Sequence, residues 1–225
     1  MSTVIVSYDD TANDRDALAL ARVFADAGAS LMLAYVRHTI QTRRDREQLE
    51  EHDAEALLER GATALGDVAS ERRVVVHAST SEGLKALAER EGAALIVFGS
   101  EYRTPTGRVS PQKSTQSLLE GGPAAIAIAP VGYHERPIRT IGLLAGLDDH
   151  AAIDTAHELA EHFGATVTGA AQAVDLLIVG SRPEAPHGRT MISAAAENAI
   201  DGCAAPVLVV ARGVALSFRA PLYVS

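Results

Sequence analysis

The sequence predicts an α/β protein built on parallel, doubly wound sheets and present as two copies, the second one reduced. Three observations predict it. Apolar, β-branched runs alternate with helical patterns along the chain, which implies parallel strands joined by right-handed crossovers. Apolar residues make up 47% of the 225 residues but aromatics only 4%, with no Trp. The core is therefore Ala, Val, Leu and Ile, the composition of strands covered by helices on both faces. Finally, the pattern restarts at Thr140.

Taken in order, Thr3–Tyr8 reads as the first strand and Asp9-Asp10-Thr11 as a turn. Ala17, Leu18, Ala21, Phe24 and Ala25 then recur at helical spacing up to Gly28. Ser30–Val36 is the second strand. Asp45–Leu65 is a charged amphipathic helix with Leu49, Ala56, Leu57, Ala64 and Leu65 on its inner face. A third strand, Arg73–Ala78, precedes a third helix, Ser81–Arg90, that stops at Gly92. The fourth strand is Ala93–Phe98, the fourth helix Ser114–Glu120, and the fifth strand Ala124–Ala129, closed by Pro130.

The second copy is shorter than the first. Gly164-Ala165-Thr166-Val167 repeats the pattern of Gly28-Ala29-Ser30-Leu31, and Leu176–Ser181 repeats that of Leu95–Ser100. Pro186-His187-Gly188-Arg189 repeats Pro105-Thr106-Gly107-Arg108 in the same register as Leu176–Ser181. The first of these repeats is displaced much further along the chain than the other two. The difference between the displacements matches the length of the second helix, third strand and third helix of the first copy, which the second copy lacks. With so few residues left between Gly169 and Asp175, a full second strand has no room for a parallel crossover. That strand is expected to be shortened or lost, leaving a three-stranded half that leans on the first copy. The resulting division is a complete domain at 1–132, a linker Pro130–Arg139, a truncated domain at 138–213, and an apolar tail at 214–225. The tail is expected to be an edge strand or extended arm covering the edge that the deletion exposes.

A net charge of −9 and a pI near 5.3 argue against a nucleic-acid or anionic-membrane surface, since both need a basic stripe. No run reaches the roughly 18 apolar residues of a membrane span. The lone Cys203 forms no internal disulfide, and MSTVIVSYDD has no leader pattern, so a cytoplasmic protein is expected.

The segment GSEYRTPTGRVSPQKST (Gly99–Thr115) joins the fourth strand to the fourth helix. Such a loop is where α/β proteins hold phosphate. A strand ending in Asp9, the run Leu95–Ser100 and the segment SLLEGGPAAIAIAP (Ser117–Pro130) together resemble the universal stress protein family. VDLLIVGSR (Val174–Arg182) and APVLVVARG (Ala205–Gly213) are similar to the same family's fourth and fifth strands. The resemblance implies two Rossmann-like domains in tandem, with their fifth strands paired. In one subclass it implies ATP held by a Gly-x-x-Gly, nine residues, Gly-Ser/Thr signature.

Laid on the first copy, that signature falls on Gly99, Tyr102, Gln112 and Lys113; on the second it falls on Gly180, Pro183, Ser193 and Ala194. Only the first glycine is kept in each, and Asp9 becomes Ala145 in the second copy, which is therefore expected to have lost the site. The first copy offers Asp9 and Val36 for ribose and adenine, Thr11 beside Asp9, and Gly99, Ser100, Lys113 and Ser114 for phosphates, with ATP or AMP and Mg²⁺ as the ligand implied. Two readings of the loop stand side by side. In one, Arg103, Arg108 and Lys113 rebuild a phosphate cradle from side chains. In the other, Tyr102 and Pro105 fill the old pocket, Lys113 points to solvent, and the Pro-x-Gly-Arg turn serves folding or contact between the copies.

Other signals point to no chemistry. His157 and His162 are five apart and diverge around a helix, so they do not form the paired zinc ligands of i,i+4 histidines. Ser100 and Ser181 lack the Gly-x-Ser-x-Gly elbow. Cys203 reads as a buried thiol. The turn after the first strand lacks the glycines of a dinucleotide site. The leading expectation is a non-enzymatic stress-response protein acting by association with a protein partner or a second copy of itself. A weak ATP hydrolase and a purely structural interaction protein are the alternatives.

Overall fold

The computed structural model describes residues 2–38, 44–169 and 173–218. From the N-terminus its elements are β1 (Thr3–Ser7), α1 (Asp14–Asp26), β2 (Ser30–His38), α2 (Arg44–Leu65), β3 (Ser70–His77), α3 (Thr80–Glu91), β4 (Leu95–Gly99), α4 (Lys113–Leu119), β5 (Glu120–Gly122) and β6 (Ala125–Ala129). They continue as β7 (Thr140–Leu144), α5 (His150–Phe163), β8 (Thr166–Thr168), β9 (Leu176–Gly180), β10 (Thr190–Met191), α6 (Ala194–Ile200) and β11 (Val207–Val210).

Nine of these strands form one mostly parallel sheet in the order β3-β2-β1-β4-β6-β11-β9-β7-β8. Pairing is parallel within each half and antiparallel only at the seam, where Val207, Leu208 and Val209 of β11 face Ile128, Ala127 and Ile126 of β6. The two strands that the sequence reading takes as fifth strands, β6 and β11, are thus neighbours. Both apolar layers cross the seam: one joins Phe24, Leu33 and Leu95 to Leu159, Ile178 and Leu208, the other Leu87, Phe98 and Leu118 to Val179, Ile200 and Val209. Helix ends follow local chemistry. Ser79 caps α3 by accepting from the Glu82 amide at 3.2 Å, and Gly92 closes that helix at φ 60°, a left-handed conformation natural to glycine.

The second half contributes four strands to this sheet, not three. β8 survives as Thr166–Thr168, parallel to β7 with Thr140 opposite Thr166. The expectation of a shortened strand holds, but the count of three does not. Three residues advance the chain by only about 10 Å, so the short connection to β9 suffices to return. The carboxylate of Asp175 fixes that return by accepting from the Arg139 and Thr140 amides, both at 3.0 Å.

Two further details differ from the sequence reading. The buried face of α2 is Ala54, Leu58, Gly61 and Leu65, while Ala56 and Ala64 are exposed. A Cβ on Gly61 would lie 2.9 Å from the Tyr8 ring, so this glycine sets the register of α2 on the sheet. The side chain of Leu49 lies outside the described residues. The tail, where described, forms no strand and does not cover the β8 edge. Residues 214–218 run across the helices instead: the Leu216 amide donates to Thr155 Oγ1 at 2.9 Å and the Phe218 amide to Glu158 Oε1 at 3.1 Å, both on α5. Phe218 stacks against Phe24 of α1 with ring centres 5.6 Å apart. Two large apolar side chains find more surface between helices than along a three-residue edge. Residues 219–225 lie outside the described residues.

Candidate functional site

The candidate residues converge on the carboxyl ends of β1 and β4, the point at which successive strands of the first half are laid down in opposite directions from β1. Doubly wound sheets bind their ligands at such points.

Asp9 and Thr11 sit together in the β1–α1 loop, both exposed. Asp14, the first residue of α1 and only 5% exposed, organises this loop. One of its oxygens, Oδ2, accepts from the Asp9 amide at 3.0 Å, the Thr11 amide at 2.8 Å and the Thr11 hydroxyl at 3.1 Å. The Thr11 hydroxyl proposed for a ligand therefore serves the loop. Between them, Asp10 adopts φ 63°. Its carboxylate takes a hydrogen bond from Arg60 of α2 at 2.8 Å and another from the Tyr8 hydroxyl at 2.9 Å. These bonds, Arg60's first, hold the Asp10 carboxyl below its ordinary range, while burial, reinforced by Asp10, pushes the Tyr8 hydroxyl up to about 12.

Gly99 and Ser100 are fully engaged by the chain itself. A Cβ on Gly99 would sit on the carbonyl oxygen of Asn13, so the glycine admits the start of α1 rather than a phosphate. The Asn13 amide donates to the Ser100 carbonyl at 2.6 Å. The buried Ser100 hydroxyl donates to the Ala129 carbonyl at 2.6 Å and accepts from the Ser110 amide at 3.2 Å. Gln112, where the signature has glycine, extends its side-chain amide to the carbonyls of Gly99 and Ser100 at 3.3 and 3.4 Å. Lys113, exposed, and Ser114, half-buried, follow directly at the start of α4. Val36 lies apart from this group. It is buried under α3, where a Cβ on Gly83 would come within 2.9 Å of it.

Tyr102 does not fill the pocket: it is 69% exposed and carries the Arg103 guanidinium 5.0 Å above its ring. Asn13 and Gln112 occupy that place instead. Gln112 shows in the sequence only as a departure from the signature's glycine, and Asn13 does not stand out, although it precedes Asp149, which caps α5, by the same interval that separates Gly28 from Gly164.

The Pro-x-Gly-Arg turns lock the two halves to each other. In the first, the Gly107 amide donates to the Val131 carbonyl at 2.7 Å; in the second, the Gly188 amide donates to the Arg212 carbonyl at 2.8 Å. Arg108 then reaches across to the Gly202 carbonyl at 2.6 Å, and Arg189 reaches back to Glu89 at 2.9 Å. The Val109 amide bonds the Cys203 carbonyl at 2.8 Å, while β10 pairs with β5 from the other side. Cys203 is free and half-buried. Among the described residues no cluster of His, Cys, Asp or Glu is arranged to hold a metal ion, and no helix is long and apolar enough to cross a membrane.

This topology and this loop arrangement define a doubly wound α/β protein. The sequence profile of the universal stress protein family matches residues 1–129, and the chain belongs to that family. A universal stress protein from Archaeoglobus fulgidus shares the fold over 94% of this chain and 98% of its own, with a TM-score of 0.70 at 13% identity. A putative universal stress protein from Pseudomonas aeruginosa covers 93% of each chain, with a TM-score of 0.61 at 16% identity. No curated protein matches.

Proposed function

We propose that this protein is a non-enzymatic, regulatory member of its family that acts by association. On this reading an adenine nucleotide is an optional ligand of the first half, contacted at its sugar by Asp9 and at phosphate by Lys113 and Ser114. The observation that carries it is the occupation of the phosphate cradle by the chain's own groups: Asn13 against Gly99, and Gln112 on the Gly99 and Ser100 carbonyls. A cradle filled this way gives extra phosphates no extra backbone donors. Hydrolysis needs a held metal and a group that positions water; Asp9 and Asp10 are carboxylates of the kind that hold a metal, and the sequence offers no residue for the second role.

Surfaces for association are present. The sheet ends at β8, whose outer edge pairs with no strand of the described residues, and Leu147, in the loop that follows β7, is 97% exposed. An unpaired edge and a bare apolar side chain favour a protein partner or a second copy.

Titration calorimetry with AMP and with ATP, each with and without Mg²⁺, tests the reading. The expected result is binding by ATP no tighter than by AMP, lost in Asp9→Ala, with no phosphate released. ATP binding tenfold tighter than AMP, or turnover, would overturn it.

A further inference from the structure

Resting on the reading that this protein acts by association, we infer that the groove between α4 and α6, at the seam of the two halves, is the docking site for a basic amphipathic helix of a partner protein.

The two short helices lie antiparallel over the seam. At one end, Ile192, which precedes α6, donates its amide to the carbonyl of Leu119, the last residue of α4, at 3.2 Å. Met191 stands opposite Glu120 in the β10–β5 ladder beside it. At the other end, Asp201, which follows α6, borders the groove together with Ser110, which precedes α4. The groove between these ends has a volume of about 780 Å³. Leu119 and Ile200, both buried, form its floor, and Met191 and Ile192 are half-buried against it. Seven residues in each helix make walls about 10 Å long, close to two turns of a third helix. A helix seats in such a groove through apolar anchors at i, i+3 or i+4, and i+7.

Charge selects the partner. Glu120, Glu197 and Asp201 are exposed around the groove. Among the described residues none of these three carboxylates is in an ion pair, whereas Asp10, Glu71 and Glu89 each face an arginine, at 2.8, 2.7 and 2.9 Å. Arg182, the cation that lines the groove, directs its guanidinium to the Met191 sulfur at 3.9 Å, and Arg108 nearby donates to the Gly202 carbonyl at 2.6 Å. Three carboxylates against one guanidinium leave the rim negative. A second copy of this chain, with its net charge of −9, brings like charge to that rim and is disfavoured. A helix whose apolar stripe is flanked by Lys or Arg matches both the floor and the rim.

Fluorescence anisotropy on the full chain tests this with a dye-labelled Leu/Lys amphipathic peptide of about 14 residues, four helical turns. A peptide of the same composition with its leucines out of helical register, and a Leu/Glu peptide in register, are the comparisons. The expected result is saturable binding of the first peptide alone. The double charge reversal Glu120→Lys with Glu197→Lys should weaken it about tenfold, and Glu55→Lys, an exposed charge on α2, by less than about twofold. All three positions are exposed, so the variants keep the fold, which circular dichroism verifies. No binding of the in-register Leu/Lys peptide overturns the groove. So does equal binding of either comparison peptide, or equal weakening by Glu55→Lys. Sedimentation velocity of the protein alone, over a range of concentrations, separates this claim from the wider one. Self-association without peptide binding removes the groove and leaves association standing through another surface. A monomer at every concentration that binds no peptide removes both.

Discussion

Asn13 and Asp149 occupy equivalent places in the two halves, each at the start of the helix after the first strand of its half and each pressed on the glycine that ends the next strand inward. Asn13 donates its amide to the Ser100 carbonyl at 2.6 Å. Asp149 has no such hydrogen to give when ionised: Oδ1 accepts from the Ala152 amide at 3.3 Å, and Oδ2 is buried without a partner.

Asp149→Asn should therefore stabilise the protein. Burial raises the Asp149 carboxyl above its ordinary value, against the Ala152 amide and Arg212. An acid raised in the folded state favours folding when protonated, below about pH 4, and that contribution is lost as pH rises through the folded value. Asparagine removes the loss while keeping the shape. The expected gain is about 1–2 kcal/mol at pH 7, vanishing near pH 4. Urea unfolding at both pH values checks it.

Gly99→Ala should destabilise strongly, because the added carbon meets the Asn13 backbone rather than a flexible side chain. Overpacking of this kind costs about 1–3 kcal/mol or more. Gly169→Ala, with open space around its Cβ, should be near neutral. Comparable melting temperatures for the two variants would contradict the close approach.

Ser100 and Ser181 make matching bonds, to Ala129 at 2.6 Å and to Val210 at 2.7 Å. Each serine ties the end of one strand to the end of the next. Replacing either by alanine strands a buried carbonyl and should cost about 1–3 kcal/mol. The bonds belong to opposite halves, so the double variant should lose close to the sum of the two, read from denaturant midpoints.

Phe218→Ala should cost about 3–5 kcal/mol, the loss expected for a buried phenylalanine. It should also raise amide exchange on α1 and α5 together, since Phe218 touches Phe24 on one and its amide is held by Glu158 on the other. A change under about 0.5 kcal/mol would mean that the tail is only loosely seated.

Much of this architecture is readable because periodicity records which way side chains face. The alternation of Thr3–Tyr8, Ser30–Val36 and Leu95–Phe98 with helical segments points to the parallel sheet, and the displaced repeats point to the missing middle of the second half. Short-range patterns say little about distant pairing. β5 and β10 span three and two residues and exist because Glu120–Gly122 and Thr190–Met191 are brought together by the turns around them. The inner face of α2 is ambiguous in the sequence because alanine tolerates either side, and the packing of Gly61 on Tyr8 decides it. At the site, Asp9 and Gly99 are visible as residues of the right type in the right loop. Their partners Asp14 and Asn13 are not, and Gln112 is visible only as a missing glycine, since only the folded chain brings these side chains against the loop.

The antiparallel seam between β6 and β11 lets two halves of unequal size share one sheet. In an assembly of two identical free chains, any deletion strikes both partners at once. Joined through Pro130–Arg139, the copies are no longer bound to change together, and tethering presents each to the other at roughly millimolar effective concentration. The first half is then always at hand as a template for the smaller second half, whose apolar layers run on into its own across the seam.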